Sequence, residues 1–458
     1  MVFVGTSDLS AHFRGKSFPA ADLQSRLQRG VGLAPTNLFL SSFGPIHVTP
    51  FGTCGEVALV PDPTTRVFVP FEDGTVEYFF LGDLRTLEGQ RWDFCPRQVL
   101  RRALDRLERE TGLQLLATFE QEFIYSGVAV HPPQSYELDA YRRQGVFGGR
   151  LLSALRQAGI VPDSFLAEYG PQQFEVTTVP VRGLRAADEA VITRELAQAV
   201  AFRLGHRVSF APIHDPDGVG SGTHIHFSFL DRNGQPVLHD VSRPWQLSAL
   251  GTHFIAGILY HMPALCAVTA ASVASYYRLR PNRWAPVKAD AGSLDRGAAL
   301  RIAPLFGDDP IQQAKQFNLE YRVADATANP YLALAVLIQA GLDGIRHSLA
   351  IDADTAAALP TSLEQALCAL EVSEPAAEWL GPELLSGYLS FKSAEAQSLR
   401  DLSESEICRR YAEVFCGGTC TGTARWVGSE THPVDAANVT MPPPSQATPA
   451  QSPVAYHG

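Results

Sequence analysis

Ionisable side chains set two residues apart inside apolar, strand-forming runs constrain this chain more than any other feature. Alternate residues of a strand face the same side. In Leu115–Leu–Ala–Thr–Phe–Glu–Gln–Glu–Phe–Ile, Glu120 and Glu122 therefore share a face. In Gly220–Ser–Gly–Thr–His–Ile–His–Phe–Ser, His224, His226 and Ser228 share one, with Ile225, Phe227 and Phe229 opposite. Glu320 and Arg322 repeat the spacing in Asn318–Leu–Glu–Tyr–Arg–Val. A face of like charges has two outlets. Either it is solvated, or a cation sits between the carboxylates, because burying neighbouring charges of one sign is costly.

A further element, Glu168–Tyr–Gly–Pro–Gln–Gln–Phe–Glu175, has a turn or bulge signal at Gly170–Pro171. Across such a break Glu168 and Glu175 can point into one cavity; a surface loop is the plainer alternative. Arg278, Arg296 and Arg301 punctuate a stretch of modest charge, and arginine suits bidentate binding of phosphate and carboxylate. Gly220 and Gly222 let backbone approach a ligand closely. Singly, these elements also read as core histidines, a cross-strand ion pair or surface arginines. Collectively, glutamate oxygens with imidazole suit hard divalent cations such as magnesium or manganese, and such metals beside arginines describe phosphoryl transfer.

The 458 residues allow two or three domains. A formal charge of −11 argues against nucleic acid or an anionic membrane as the main partner. No run of about 18 apolar residues is evident, so no bilayer span is expected, nor does the start read as a secretion signal. Seven scattered cysteines suit a reducing cytoplasm. The pair Cys416 and Cys420 matches no usual zinc spacing. Gly15–Lys16–Ser17 lacks the first glycine of a phosphate-binding loop and is a chance match.

Residues 1–95 predict a small sheet domain, with β-type runs at Thr36–Ser41, Val57–Val60 and Arg66–Val69. A helix follows from Pro96, with Leu100, Leu104 and Leu107 on one face and Gly112 as its stop. Residues 96–416 alternate strand-like and helix-like segments irregularly, with helices at Leu151–Ala158, Ala187–Leu204, Trp245–Val268 and Tyr331–Ser348. Residues 417–458, rich in Gly, Thr, Ala and Pro, predict a disordered tail.

Taken in order, these motifs resemble the glutamine synthetase family. They run from Glu120-x-Glu122-Phe through Glu168-x-Gly-Pro-x-Gln173-x-Glu175 and Gly220-Ser-Gly-x-His224-x-His226-x-Ser228. They continue with Ser275-Tyr-Tyr-Arg278-Leu-x-Pro281, Asp295-Arg296-x4-Arg301-Ile and Glu320-x-Arg322-x-x-Asp325-x3-Asn329-Pro330-Tyr331. The resemblance implies an α+β fold: an N-terminal β-grasp-like domain, then a catalytic domain whose curved antiparallel sheet is flanked by helices. It implies ATP as a substrate and two or three magnesium or manganese ions, as expected of oxygen-rich sites. By resemblance Glu122, Glu168 and Glu175 hold one metal, and Glu120, His224 and Glu320 the other. Arg296 and Arg301 contact ATP phosphates, with His226 and Ser228 toward the nucleotide. Arg278, Arg322 and the Gly220 backbone hold a glutamate-like substrate, and Arg296, Arg322 and Glu320 serve the chemistry. The resemblance further implies a homo-oligomer of stacked rings whose active sites are completed by a neighbour's N-terminal domain.

Departures bear on the second substrate. Ammonia-using members carry a flap glutamate a few residues after the Arg278 position; here Trp284 takes that place, in Arg278–Leu–Arg–Pro–Asn–Arg–Trp284–Ala–Pro286. The N-terminal Asp-Gly-Ser-Ser type motif is replaced by Phe51–Gly–Thr–Cys–Gly55. A lysine common before the glycine motif is missing from Phe210–Ala–Pro–Ile–His214, and Val219 stands where a polar residue is usual. An indole offers an apolar wall and a cation–π face to an alkylammonium, and this form resembles the γ-glutamyl-polyamine and γ-glutamyl-amine synthetase branch. The expectation is a γ-glutamyl-amine ligase. Alternatives are glutamine synthesis from ammonia and a catalytically silent regulator on the same fold.

Overall fold

A computed structural model describes residues 1–130, 135–351 and 356–418. The N-terminal sheet begins with Val2–Ser7, which pairs antiparallel with Phe13–Phe18 and parallel with Val76–Arg85. Val76–Arg85 also pairs antiparallel with Val57–Pro61 and Val67–Pro70, and Val31–Leu33 closes the far edge. With the helix Leu23–Arg29, this is the expected β-grasp-like arrangement. Val57–Pro61 and Val67–Pro70 fall where alternation predicted strands. Thr36–Ser41 does not: Pro35 starts a 3-10 turn over Pro35–Phe39 instead, as a proline with fixed φ and no N–H favours. Gly15–Lys16–Ser17 lies within a strand, not before a helix.

Pro96 is the first residue of the helix Pro96–Thr111, and Gly112 ends it at φ 74°. Arg97 in its first turn is fully buried. It donates to both carboxylate oxygens of Asp188 at 3.0 and 2.9 Å, to Asp83 at 2.7 Å and to Asp62 at 3.0 Å. One guanidinium thus joins the N-terminal sheet to the helix Leu184–Arg203.

The catalytic part carries two sheets. One orders Val181–Arg182, Gln114–Phe119, Ile225–Leu230, Leu319–Tyr321, Leu300–Ile302 and Ala291–Ser293. The other orders Cys416–Gly418, Arg207–Ser209, Gln121–Tyr125, Gln173–Thr178 and Pro162–Ala167. All pairings are antiparallel except Ala291–Ser293 with Leu300–Ile302. Glu120 sits in the break between Gln114–Phe119 and Gln121–Tyr125, so the run read as one strand is two strands in two sheets. Its N–H leaves both ladders and donates to the His224 carbonyl at 2.9 Å. Gly417 and Gly418 pair with Arg207 and Val208, so they belong to the sheet and not to a tail. The rest of the expected tail, including Cys420, lies outside the described residues.

Helices Ala249–Thr269 and Pro330–Arg346 pack against each other, and Phe254 of the first meets Phe227 and Phe229 of Ile225–Leu230. Asn329 caps the second, its side chain accepting from Tyr331 N at 3.0 Å and Leu332 N at 3.2 Å. Among the described residues one helix, Ala249–Thr269, is apolar over a longer run than the sequence reading allowed and is long enough by length and composition to cross a membrane; 72% of its most apolar window is buried in the protein, as in a core helix. Helices Phe147–Gln157 and Leu184–Arg203 stand within a few residues of their predicted spans, and the expected start at Trp245 shifts to Ala249. Cys54, Cys95, Cys266, Cys368 and Cys408 carry free thiols.

Candidate active site

Where the two sheets meet, a cavity of ≈ 770 Å³ opens, lined among others by Glu120, Glu122, Glu168, Glu175, His224 and His226. Strand register explains the convergence. Glu175 lies directly opposite Glu122, and Glu320 directly opposite both His226 and Arg301. Like charges facing each other across a ladder destabilise it, and the acids register that crowding. Burial first, and then the Glu168 charge, push the Glu122 carboxyl up to about 8. Burial also pushes Glu175 well above the carboxylate range, with Glu120, Glu122, Glu168 and Glu320 adding to it. Glu168 is raised by burial as well.

The histidines divide the remaining acids. His224 Nδ1 lies 3.1 Å from Glu120 Oε2 and 3.5 Å from Glu320 Oε1. His226 Nε2 lies 2.9 Å from Glu120 Oε1, off the line a hydrogen bond needs, while its Nδ1 meets Asn318 Oδ1 at 2.8 Å. Burial opposes a charge on His226, but Glu120 outweighs it and holds the imidazolium up to about 9. His224 is shifted the other way, by burial and by Arg322. Glu120 and Glu320 fall below the usual range despite burial, Glu120 through His226 and His224, Glu320 through those two and Arg322. Glu320 is fully buried and ion-paired with both Arg301 and Arg322.

Backbone and glycines complete the floor. Glu122 Oε2 accepts the Gly222 N–H at 2.8 Å. Gln173 Nε2 donates to the Gly220 carbonyl at 2.8 Å and to Ser221 Oγ at 3.0 Å. A Cβ on Gly220 would stand 2.4 Å from Arg278 Cγ, and one on Gly222 2.7 Å from His224 Nε2. Close approach, not a positive φ, therefore requires glycine there. Arg278 is buried and donates to the Val323 and Ala324 carbonyls. The Nε groups of Arg278 and Arg322 find no hydrogen-bond partner among the described residues. A buried, unpartnered N–H costs stability, so two lining arginines each keep one donor uncommitted.

The donor set fits hard divalent cations. Donor atoms of Glu120, Glu175 and His224 lie within 4.8 Å of one another, as do those of Glu120, His226 and Glu320. Oxygen-rich groups with one imidazole suit magnesium or manganese. These groupings differ from those the resemblance implies. Glu120 is shared because both imidazoles turn to it, and Glu168 is engaged elsewhere, accepting from Tyr136 OH at 3.2 Å and Tyr169 N at 3.2 Å. All six expected ligands nonetheless meet at one junction.

Of the other expected residues, Gly220, Arg278, Trp284, Arg296, Arg301 and Arg322 line the cavity. Arg296 stands exposed between Ala291–Ser293 and Leu300–Ile302. Ser228 is buried and outside the lining, because a two-residue step carries it about 6.6 Å further along the strand than His226. Asn318, whose alternation with Glu320 and Arg322 is visible in the chain, and Gln173 line the cavity without having been expected to. So do Tyr136, Tyr169 and Arg283, which carry no spacing signal. Phe51–Gly–Thr–Cys–Gly55 lines no part of this cavity.

Known proteins match along most of the chain. The pattern "Glutamine synthetase, catalytic domain" covers residues 93–411 and "Glutamine synthetase N-terminal domain" residues 1–92. A gamma-glutamylpolyamine synthetase of Streptomyces coelicolor is 33% identical over 437 residues, 90% of this chain and 92% of that one. Type-1 glutamine synthetase 1 of Dictyostelium discoideum is 29% identical over 393 residues, 79% of this chain and 78% of that one. A crystal structure described as a novel glutamine synthase homolog is similar at a TM-score of 0.86, with 41% identity, over 90% of this chain and 98% of that one. Two domain patterns in order, one architecture and a carboxylate–histidine junction agree: the chain belongs to the glutamine synthetase family.

Proposed function

We propose that this chain is an ATP-dependent ligase that forms a γ-glutamyl amide from glutamate and an organic amine through a γ-glutamyl phosphate. The observation that carries the amine half is Trp284: an indole, not a carboxylate, stands on the flap at the cavity mouth, its ring 5.3 Å from that of Tyr169. The similarity to a polyamine-using relative supports the same reading.

Glu120, Glu122, Glu168, Glu175, His224 and Glu320 would hold the divalent ions, with His226 within reach of Glu120. Bound there, such ions supply positive charge that offsets the triphosphate. Arg278, Arg322 and the Gly220 backbone orient the glutamate. Arg296 and Arg301 face the phosphates, and His226, with Ser228 behind it, lies toward the nucleotide. A γ-carboxylate oxygen attacks the γ-phosphorus, the bond to the ADP oxygen breaks, and an acyl phosphate forms. The amine, having lost one ammonium proton, attacks the acyl carbon; phosphate leaves with the C–O bond pair, and a second proton departs to give the amide. Catalysis is largely electrostatic positioning, and shielding the acyl phosphate from water guards against hydrolysis. The reading includes a cytoplasmic ring-shaped homo-oligomer, which light scattering on the purified chain tests.

The second reading is glutamine synthesis from ammonia, favoured by the similarity to type-1 glutamine synthetase 1. Phosphate release with glutamate and ATP, measured with ammonium and with a panel of amines, separates the two. Turnover with organic amines supports the proposal; turnover with ammonium alone rejects it.

A further inference from the structure

Asp325 is a buried carboxylate outside the metal junction. It is 1% exposed, does not line the cavity, and lies between the strand Leu319–Tyr321 and the helix Pro330–Arg346. One of its oxygens serves the local turn: Oδ1 accepts the Thr327 N–H at 3.0 Å and the Thr327 hydroxyl at 2.6 Å. Asparagine would serve such a turn equally well. The second oxygen, Oδ2, is buried and accepts no hydrogen bond among the described residues. A buried carboxylate is costly unless a cation stands beside it. The turn therefore does not explain why the residue carries a charge.

Arg278 does. Its Nη2 lies 3.8 Å from Asp325 Oδ2, the one ion pair that either group makes among the described residues. The same Nη2 donates to the Val323 and Ala324 carbonyls, so three consecutive residues hold the guanidinium. None of the three lines the cavity, although Arg278 does. A second route runs through hydroxyls. Thr327 Oγ1, fixed by Asp325, lies 3.3 Å from Ser275 Oγ, which shares a 2.8 Å hydrogen bond with Ser272 Oγ. Ser275 is the first residue of the short helix Ser275–Arg278, and Arg278 is its last. Asp325 thus meets both the charge of Arg278 and the helix that carries it. The turn is itself pinned: Arg194 Nη1 donates to the Ala326 carbonyl at 2.6 Å, and Asp325 N donates to the Thr269 carbonyl at 3.1 Å.

A buried guanidinium goes where its counter-charge holds it. After Asp325, Glu122 is the next acid whose charge reaches Arg278, and a side chain drawn toward Glu122 would turn to the metal junction instead of to a substrate. We infer that Asp325 is a positioning residue for the acid substrate: as the buried counter-charge of Arg278 and the anchor of its helix, it aims the guanidinium at a carboxylate bound in the cavity. The inference rests on the amide-ligase reading, in which Arg278 orients glutamate, and adds to it a residue that touches neither substrate nor metal.

The test measures phosphate release by the full chain with ATP, magnesium and the nitrogen donor that wild-type protein uses, while glutamate is varied. Asp325→Asn keeps an acceptor for Thr327 and removes the charge. Its KM for glutamate should rise about 10- to 100-fold, the effect of a slight misplacement of a positioning group, while KM for ATP stays unchanged. Thr327→Val keeps the pair of Asp325 with Arg278 and cuts the hydroxyl route, and should raise the glutamate KM about 3- to 10-fold, as one lost hydrogen bond does. Thr327→Ser, which retains the hydroxyl, should restore it. Where Asp325→Asn folds, that variant decides; where it does not, Thr327→Val and its rescue by Thr327→Ser decide. A glutamate KM that does not move in the deciding variant, or an equal rise for ATP, would overturn the positioning role while leaving the ligase reading standing. Wild-type protein that releases no phosphate in response to glutamate, with ammonium or any amine of the panel, overturns both.

Discussion

Removing one charge from the acidic junction should make the metal-free fold more stable while it ends catalysis. Glu122 is the place to do it. Its carboxyl ordinarily titrates near 4.5 and is pushed up to about 8 by burial and by Glu168. A carboxyl raised by folding contributes stability below its unfolded value, and that contribution is lost as pH rises through the folded value. The window here is therefore pH 4.5 to 8. A separation of about 3.5 at about 1.4 kcal/mol per pH unit gives a ceiling of about 5 kcal/mol for full ionisation. Water entry and side-chain movement lower this to about 1–3 kcal/mol, the range of most point substitutions. Glu122→Gln keeps an oxygen for the Gly222 N–H and does not titrate.

Urea unfolding with EDTA, at pH 5.5 and pH 8, measures the effect. Glu122→Gln should exceed wild type by about 1–3 kcal/mol at pH 8 and by less at pH 5.5. Added magnesium should raise the wild-type midpoint at pH 8 more than that of the variant, and phosphoryl transfer by the variant should fall at least 100-fold, as expected on losing a residue that positions charge in the transition state. A variant equal to or weaker than wild type at pH 8 without divalent ions would refute the crowding argument. So would a gain that does not change with pH.

Three other outcomes follow from the same structure. Arg97→Met strands the buried carboxylates of Asp188 and Asp83 and should cost about 3–5 kcal/mol in urea unfolding; a loss under about 1 kcal/mol would remove Arg97 as the joint between domains. Arg283→Gln frees the flap from Gly218 and Pro216 and should release more phosphate per amide formed, about 3-fold or more, as water reaches the acyl phosphate; unchanged coupling speaks against the latch. His12 and His214 are held neutral, at about 3 and about 4, by burial first and then by Arg14 and Arg207 respectively. Because folding depresses both, their stability is present above about 6.5 and lost as pH falls toward 4, so His214→Gln should flatten the fall in melting temperature across that window. An identical slope in the variant would dismiss His214 as a source of acid lability.

Residue spacing made much of the site readable. Glu320, Arg322 and His226 face the same way because period two is a property of the strand itself. The break at Glu120 was not readable, because apolar residues continue on both sides of it and the cause is remote: the Glu120 N–H is taken by the His224 carbonyl, 104 residues away in sequence. Pro35, by contrast, announced that Thr36–Ser41 would start as a turn, and the β-branched and apolar residues after it masked the signal. The aromatic cluster at the cavity left no pattern at all. Tyr136, Tyr169 and Trp284 share no period, and their contact depends on where a turn, a loop and a flap end up in space.

Several conflicts between local preference and observed structure meet at one junction. Glu175 faces Glu122 across a ladder that prefers opposite charges or apolar pairs, and two arginines keep buried donors without partners among the described residues. At the mouth, Tyr136 and Trp284 hold backbone angles that their side chains disfavour. Elsewhere the chain keeps other rules, with Pro96 and Gly112 bracketing a helix and Asn329 capping another, although Ala11, Leu294 and Ser348 also hold positive φ. Departures that meet around a cavity are common where a ligand binds. On the proposed function, cations would resolve the facing carboxylates and an organic amine would cover the exposed ring of Trp284. Metal and amine would then complement different mismatches of one site.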